Sequence, residues 1–534
     1  MKKGLQVLLS AGLIIGLLAG CGSGGAQTAS TASSGEKTSS ASTGAKTIRI
    51  AAVDPQVPLD MQQNTYSIIM RLTDNVAESL ISSQKDGTLA PLLLEQMPTL
   101  SADKLTYSFT LKSGVKFHDG TTLTSADVKY SLERLVKEKK MGSLMEYVAG
   151  YDAMEKGSAS ELSGIKAVDG THFTITLSKP YSPFTSVLST PYTAIYPKAA
   201  CEAAGDKWGL KTLIGTGPFK LDSYTAGSGA EFSKFSDYHG GAVKIDKISY
   251  KFIEDPNTQV LEYQKGNVDF VDLDNSLYPV YSTNATLKDQ IHSFQQAGGY
   301  YFNFNVKTIK DPKVREAISL AVDRKSICDS VLHGTASVPT SFIPSSLIGH
   351  DSNAKPFSYD PAKAKSLLAS AGYASGYNLR VTVNTKSNLG KSIATAFQQE
   401  AKAAGINVTV EPVDSAAWSD MKKNGGMDCS VSNWYVDYND PDSMLYPVSD
   451  SRADLVSSFW HNAQFKQLMA DGVKTDDSAA RQKTYVQAEN ILTRQDFAIA
   501  PLINETKFYL LNPKVTGFEI DSDNRMNFSK ADIG

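Results

Sequence analysis

A short segment near residue 437 combines side chains that could hold a charged solute. The segment 433–442, NWYVDYNDPD, places the aromatic residues Trp434, Tyr435 and Tyr438 around Asp437. A cation that enters a closed cleft loses water, and an opposed carboxylate with hydrogen bonds offsets that loss. Aromatic side chains supply broad apolar walls with polar tips, which accommodate varied ligands. These residues are therefore candidates for a solute-binding site.

The same segment also has a purely structural interpretation. Its aromatic residues could belong to a core, and its aspartates could form turns around Asn439 and Pro441. We favour the turn role for Asp440 and Asp442 and the ligand role for Asp437.

Motifs for catalysis are weak in this sequence. The histidines form no HExxH pair and no GxSxG elbow occurs. Gly390-Lys391-Ser392 resembles the end of a phosphate-binding loop, but the upstream glycine position holds Thr385. We therefore expect a protein that is not an enzyme and that uses no cofactor or metal. A lipid-anchored extracytoplasmic hydrolase is the alternative from another class, and it lacks a recognisable nucleophile motif here.

The N-terminus reads as a secretory leader. Residues 1–20 have a basic start, an apolar run and small residues, and they are followed by Cys21. The sequence Leu-Ala-Gly-Cys at 18–21 resembles the bacterial lipobox, so we expect cleavage before Cys21 and lipid on its thiol. The alternative is an ordinary leader with an incidental cysteine. Lipidation would place the protein at the extracytoplasmic face of the cell membrane.

Residues 21–46 are rich in Gly, Ser, Ala and Thr and predict a flexible tether.

The formal net charge is −3, and loss of two lysines with the leader makes it more negative. This mild acidity disfavours a nucleic-acid partner. Cys201, Cys328 and Cys429 are widely spaced and suggest no disulfide framework. A monomer is the default expectation.

The elements that must position the candidate site follow an α/β pattern, because short strands alternate with helices after residue 47. Apolar residues at helical spacing predict a helix over 68–80. The alternating stretches 107–111 and 115–117, joined by Lys-Ser-Gly, predict a hairpin. Thr124 and Asp127 form a capping box at the start of a helix.

Asp-Pro pairs mark the start of three later helices, with aspartate as N-cap and proline at the first helical position. They occur at 255–256, 311–312 and 360–361. Gly372 and Gly405 lie where later helices should end.

The stretch 105–134, LTYSFTLKSGVKFHDGTTLTSADVKYSLER, resembles the signature of the extracellular solute-binding family of ABC importers that includes the oligopeptide- and dipeptide-binding proteins. Further matches follow in family order at 215–220 (GTGPFK), 264–269, 301–324 and 359–365. Most of these residues read as scaffold: Gly114 and Gly120 suit turns, and Gly215 and Gly217 suit close backbone contact. His118 lies in this signature, so we interpret it as structural rather than metal-binding.

The resemblance implies a two-lobed α/β fold of the periplasmic-binding-protein type, with a subdomain inserted in the first lobe and a hinged cleft. We assign 47–80, 215–297 and 500–534 to lobe I, 81–214 to the inserted subdomain and 298–499 to lobe II.

In the peptide-binding members, an aspartate three residues after a tryptophan pairs with the ligand's α-ammonium, and that position is Asp437 here. Trp418 resembles a pocket-lining tryptophan of the oligopeptide binders, with helix packing as its alternative. Asn303 and Asn305 are further candidates near a crossing between the lobes. Some members have an arginine three residues before the tryptophan that binds the ligand's C-terminus. This chain has Val431 there, so that contact is not carried over.

We therefore predict a lipoprotein that captures peptides between its lobes, closes around them and delivers them to the transmembrane subunits of an ABC permease. The ligand would extend like an added strand, with main-chain hydrogen bonds along its length. Binding of a nickel chelate, haem or an oligosaccharide by the same fold is the alternative.

Overall fold

The computed structural model describes residues 44–84, 87–448 and 458–534. The leader, Cys21 and all but the end of the tether lie outside the described residues. In the described part of the chain, no helix is both long and apolar enough to cross a membrane.

The strands of the described chain range from two-residue pairs to two strands of 13 and 14 residues. They are β1 Thr47–Ala52, β2 Ile81–Ser83, β3 Leu89–Pro91, β4 Thr99–Leu100, β5 Thr106–Thr110, β6 Ile165–Ala167, β7 His172–Thr176, β8 Phe219–Thr225, β9 Gly229–Lys234, β10 Lys247–Phe252, β11 Phe270–Leu273, β12 Ile291–Phe304, β13 Ala336–Ser337, β14 Tyr377–Asn384, β15 Ile406–Val413, β16 Cys429–Tyr435, β17 Ile499–Leu511, β18 Val515–Thr516, β19 Glu519–Ile520, β20 Met526–Asn527 and β21 Asp532–Ile533.

The α-helices alternate with the strands along most of the chain. They are α1 Ser67–Thr73, α2 Ser125–Glu138, α3 Tyr151–Glu155, α4 Phe184–Val187, α5 Lys198–Ala204, α6 Pro256–Gln264, α7 Tyr278–Tyr281, α8 Pro312–Leu320, α9 Arg324–Ser326, α10 Pro361–Ser370, α11 Asn388–Glu400, α12 Ser415–Asn424, α13 Pro441–Leu445, α14 Ala463–Gly472 and α15 Ser478–Asn490.

Two long antiparallel strands connect the two lobes. The main sheet runs β15-β14-β16-β12-β17-β11-β1-β10-β9-β8, and β13 pairs with β17. The C-terminal half of β12 pairs with β16, whereas the C-terminal end of β17 pairs with β12 along one edge and with β11 along the other. Parallel pairs occur in both halves, β14 with β15 and β1 with β10, as expected where helices cover a sheet. The predicted α/β class is confirmed.

A separate sheet, β4-β5-β7-β6, lies within the predicted insertion and packs in an apolar core that also includes Tyr438 and Val473. The predicted hairpin is wrong, because β5 pairs with β4 and β7 instead of with 115–117. The turn forms one step later: Phe117 donates its N–H to Thr121 at 2.8 Å, and Leu123 to Val115 at 2.9 Å. Asp-Gly at 119–120, with Gly120 at φ 85°, is the stronger turn signal.

Local capping signals predicted helix starts correctly. In α2 the side chains of Thr124 and Asp127 form both halves of the capping box. The aspartates of the three Asp-Pro pairs accept backbone N–H groups at the starts of α6, α8 and α10. Gly372 and Gly405 both have positive φ beyond helix ends.

Helix α1 ends at Thr73, earlier than the apolar pattern predicts, because tertiary contacts redirect the chain. Gly217 donates its N–H to Val76 O at 3.0 Å, and Phe219 donates to Asn75 O at 2.9 Å. A Cβ at Gly215 would lie 2.1 Å from Val76 O. The close backbone contact predicted for these glycines is therefore present, and it is this contact that ends the helix.

Candidate functional site

The segment with the candidate residues leaves β16 and turns into α13, and Ser443 holds the turn. Trp434 donates its Nε1–H to the Ser443 carbonyl at 2.9 Å, and Asp437 donates its backbone N–H to Ser443 Oγ at 2.8 Å. Asp440 caps α13 by accepting the Asp442 N–H at 2.9 Å. The backbone around Asp437 is thus fixed independently of its carboxylate.

Asp437 lines a small pocket, which we call the Asp437 pocket. It is formed by α1, β2, residues 189–192, the loop after β16 and the C-terminal segment, through Met70, Ser83, Ser189, Thr190, Pro191, Tyr192, Val436, Asp437, Tyr438, Asn439, Asp523 and Arg525. A larger polar pocket adjoins it, and Ser83, Pro191 and Arg525 line both.

The pocket is acidic. The pKa of Asp523 is raised to about 7, chiefly by burial and also by the neighbouring carboxylates Asp521 and Asp437, while Arg525 opposes them. Arg525 donates its Nε–H to Asp521 at 2.9 Å and bonds the Ser189 carbonyl at 3.2 Å. A positively charged group would therefore be stabilised in this pocket.

Tyr435 and Trp434 are engaged with the protein itself. The Tyr435 hydroxyl donates to Glu505 across the sheet, and burial holds the pKa of Tyr435 well above its usual value. Trp434 packs against the apolar cluster that includes Ala297 and Tyr301.

Tyr438 and its neighbouring aspartates form a buried junction between the inserted region and α13. The Tyr438 hydroxyl donates to Asp442 at 2.8 Å, and Tyr181 donates to the same oxygen at 2.9 Å. Burial raises the pKa of Asp442 to about 6. Arg481 donates to both oxygens of Asp440 at 2.8 Å. Asp440 and Asp442 thus have the structural role favoured from the sequence.

The structure places Asn303, Asn305 and Trp418 outside the described lining of the Asp437 pocket. Asn305 donates its amide to the carbonyls of Gly425 and Met427, both at 3.0 Å, which favours a structural role. Asn303 is buried, and its Oδ1 has no hydrogen-bond partner among the described residues. Trp418 is half-buried on α12. As ligand contacts, all three stay predictions.

Sequence reasoning missed Asp523, Arg525 and Tyr192. The two charged residues lie in the turn DSDNR at 521–525, which has the composition of any polar loop. Only the return of the last segment to the first lobe could have indicated their place near Asp437.

His118 is a structural histidine. Its Nε2 donates to Gly217 O at 2.9 Å and its Nδ1 accepts from Gly215 N at 3.3 Å, which fixes the neutral tautomer. Burial lowers its pKa to about 4. Within the described ranges, no group of three or more His, Cys, Asp or Glu side chains is arranged to hold a metal ion.

The model of the bacterial extracellular solute-binding proteins, family 5 Middle, matches residues 88–454. The chain belongs to this family. The fold agrees with that membership, since solved members share its two-lobed architecture.

The chain is similar to the glutathione-binding protein GsiB of Escherichia coli K12, with 28% identity over 506 residues, 92% of this chain and 95% of the relative. The unliganded open form of the murein tripeptide-binding protein MppA has a TM-score of 0.78 at 24% identity, covering 92% of this chain and 97% of MppA. Haemophilus influenzae OppA in complex with RPPGFSPFR has a TM-score of 0.74 at 22% identity, covering 92% and 99%. At these low sequence identities, the solved structures of MppA and OppA indicate that this chain shares their fold, and nothing more.

Proposed function

We propose that this protein is the solute-binding component of an ABC importer and that its solute is a peptide with a free amino terminus. The observation that carries the proposal is the acidic Asp437 pocket, formed where the loop after β16 meets the inserted region and the C-terminal segment. Relatives named for binding glutathione and peptides support the same class of ligand.

The geometry suits capture of an ammonium group. Asp437 supplies a carboxylate on a backbone that Ser443 already holds, so its placement requires little reorganisation on binding. Met70, Pro191 and Tyr192 add apolar surface to the pocket, and an ion pair is stronger beside such surface than in bulk water. The adjoining cavity offers space for a ligand side chain.

In this proposal, the two lobes rotate about β12 and β17, the strands that join them. Ligand contacts on both sides of the cleft favour the closed form by the extra free energy they supply in that form. The closed form then docks to the permease. Lipid on Cys21 would hold the protein at the extracytoplasmic face of the membrane.

Native mass spectrometry of the chain purified from its own host in mild detergent tests the ligand class. We expect peptides of a narrow length range to be released on denaturation, and Asp437→Ala to copurify with far less. A nickel chelate, haem or an oligosaccharide in place of peptide would replace the peptide assignment by the alternative ligand class.

A further inference from the structure

A second carboxylate, that of Asp523, lines the Asp437 pocket together with Asp437. Asp523 lies in the turn between β19 and β20, and it lines the pocket together with Arg525. Asp521 orders this turn by accepting the backbone N–H groups of Asp523 at 3.0 Å and Arg525 at 2.9 Å. Asp523 is therefore held in place before any ligand arrives.

The two arginines near Asp523 already have partners within the protein. Arg525 is paired with Asp521, and Arg71 donates to Asp272 at 2.5 Å and to the Asn524 carbonyl at 3.3 Å. The carboxylates of Asp521 and Asp437 both raise the pKa of Asp523, and an added cation would relieve this mutual repulsion.

We infer that Asp523 is a second anchor for the ligand's ammonium group, which it shares with Asp437. The inference rests on the proposed function and extends it, because two carboxylates that line one pocket make the free amino terminus a strict requirement. An acetylated terminus brings no charge and leaves the repulsion between the two carboxylates uncompensated.

Ligand binding is then coupled to the loss of a proton from Asp523. Burial raises the pKa of Asp523 to about 7 with help from Asp521 and Asp437, so near pH 7 a sizeable fraction of Asp523 carries a proton. An ammonium beside it lowers that pKa and expels the proton. Proton release should therefore be large at pH 6–7 and give way to proton uptake by pH 9, because the ligand's α-amino group, with a pKa of about 8, must then be protonated to bind.

Isothermal titration calorimetry in two buffers of different ionisation enthalpy measures both affinity and protons released. The probes are alanine peptides of two to five residues, free and N-acetylated, added to the full chain in mild detergent. We expect free peptides alone to bind, with proton release at pH 7. Asp523→Asn should weaken binding by about tenfold to a hundredfold and abolish the release.

Asp289→Asn is the matched control, since it makes the same substitution at an exposed aspartate that lines neither the Asp437 pocket nor the cavity beside it. It should behave as the wild type, and Asp523→Ser repeats the test if Asp523→Asn folds poorly. Equal affinity and equal proton release in wild type and Asp523→Asn would overturn the inference and leave peptide binding intact. Absence of proton release by the wild type at pH 7 would also overturn it. Failure of every free peptide to bind would overturn both proposals.

Discussion

Ser443 accepts the backbone N–H of Asp437, so this hydrogen bond of the loop does not depend on the carboxylate. We expect Asp437→Ala to weaken peptide binding by about a hundredfold to a thousandfold, roughly 3–4 kcal/mol, since the ligand's ammonium then loses its partner. Calorimetry with a copurified peptide measures the change. Asp420→Ala, an exposed carboxylate on α12, is the control. Unchanged affinity in Asp437→Ala would exclude Asp437 as the anchor.

His118 gives a second residue-level prediction. Its folded pKa of about 4 lies below the usual value of 6.5, so the folded state binds fewer protons than the unfolded state. Its contribution to stability is complete above pH 6.5 and is lost as the pH falls toward 4, up to about 3 kcal/mol.

The free energy of unfolding of wild type and His118→Gln, measured by urea denaturation between pH 4 and 8, tests this. The difference between the two proteins should be largest above pH 6.5 and shrink toward pH 4. A pH-independent difference would show that His118 does not titrate as described.

Only some of these residues could be predicted from the sequence. Asp437 was predicted as a ligand contact from its spacing to Trp434 in a segment that resembles the peptide-binding proteins. A structural role for His118 was predicted from its place in the family signature. Asp523 could not be predicted, because it belongs to the pocket only through its position near the loop that carries Asp437. That loop is distant in sequence, and no local pattern indicates the contact.

Among the elements, the glycines that end α1 allow a sharp test. A methyl group at position 215 would overlap the Val76 carbonyl, so we expect Gly215→Ala to lower the free energy of unfolding by about 3 kcal/mol. Gly170→Ala is the control, because no atom of the described residues lies within 4 Å of the place its methyl group would take, and its φ is ordinary. Thermal or urea denaturation compares the two. Equal stability of both variants would contradict the close packing.

Element boundaries were predictable where the signal is local. The capping box of α2 and the Asp-Pro starts need only neighbouring residues, and all of them are present. The partner of β5 and the end of α1 depend on chain segments far away, β7 and Gly217, which the local patterns do not reveal. That is why the hairpin was misplaced and the helix predicted too long.

At the scale of the whole molecule, β12 and β17 are the connection about which the lobes would turn. Their pairing is irregular between Gln295 and Gly299, and such a bulge bends strands locally. We expect small-angle X-ray scattering to give a smaller radius of gyration when a copurified peptide is added. Asp437→Ala should show no change at the same peptide concentration. An unchanged radius in the wild type would argue against hinge closure.

The two-lobed architecture could be predicted from the sequence because long family motifs cover most of the chain. The bounds proposed for the lobes and the insertion stay predictions. The core of the inserted region shows the difficulty, since it includes Tyr438 and Val473, which lie far along the chain in the stretch assigned to lobe II.

That shared core has a consequence for the order in which the chain folds. The inserted region cannot bury its apolar surface fully until Val473 is available, and β11, which pairs with β1 on one side, pairs on the other with the C-terminal β17. Contacts of such long sequence separation form slowly. The inserted region and the main sheet are therefore completed only after the C-terminal part of the chain has been synthesised.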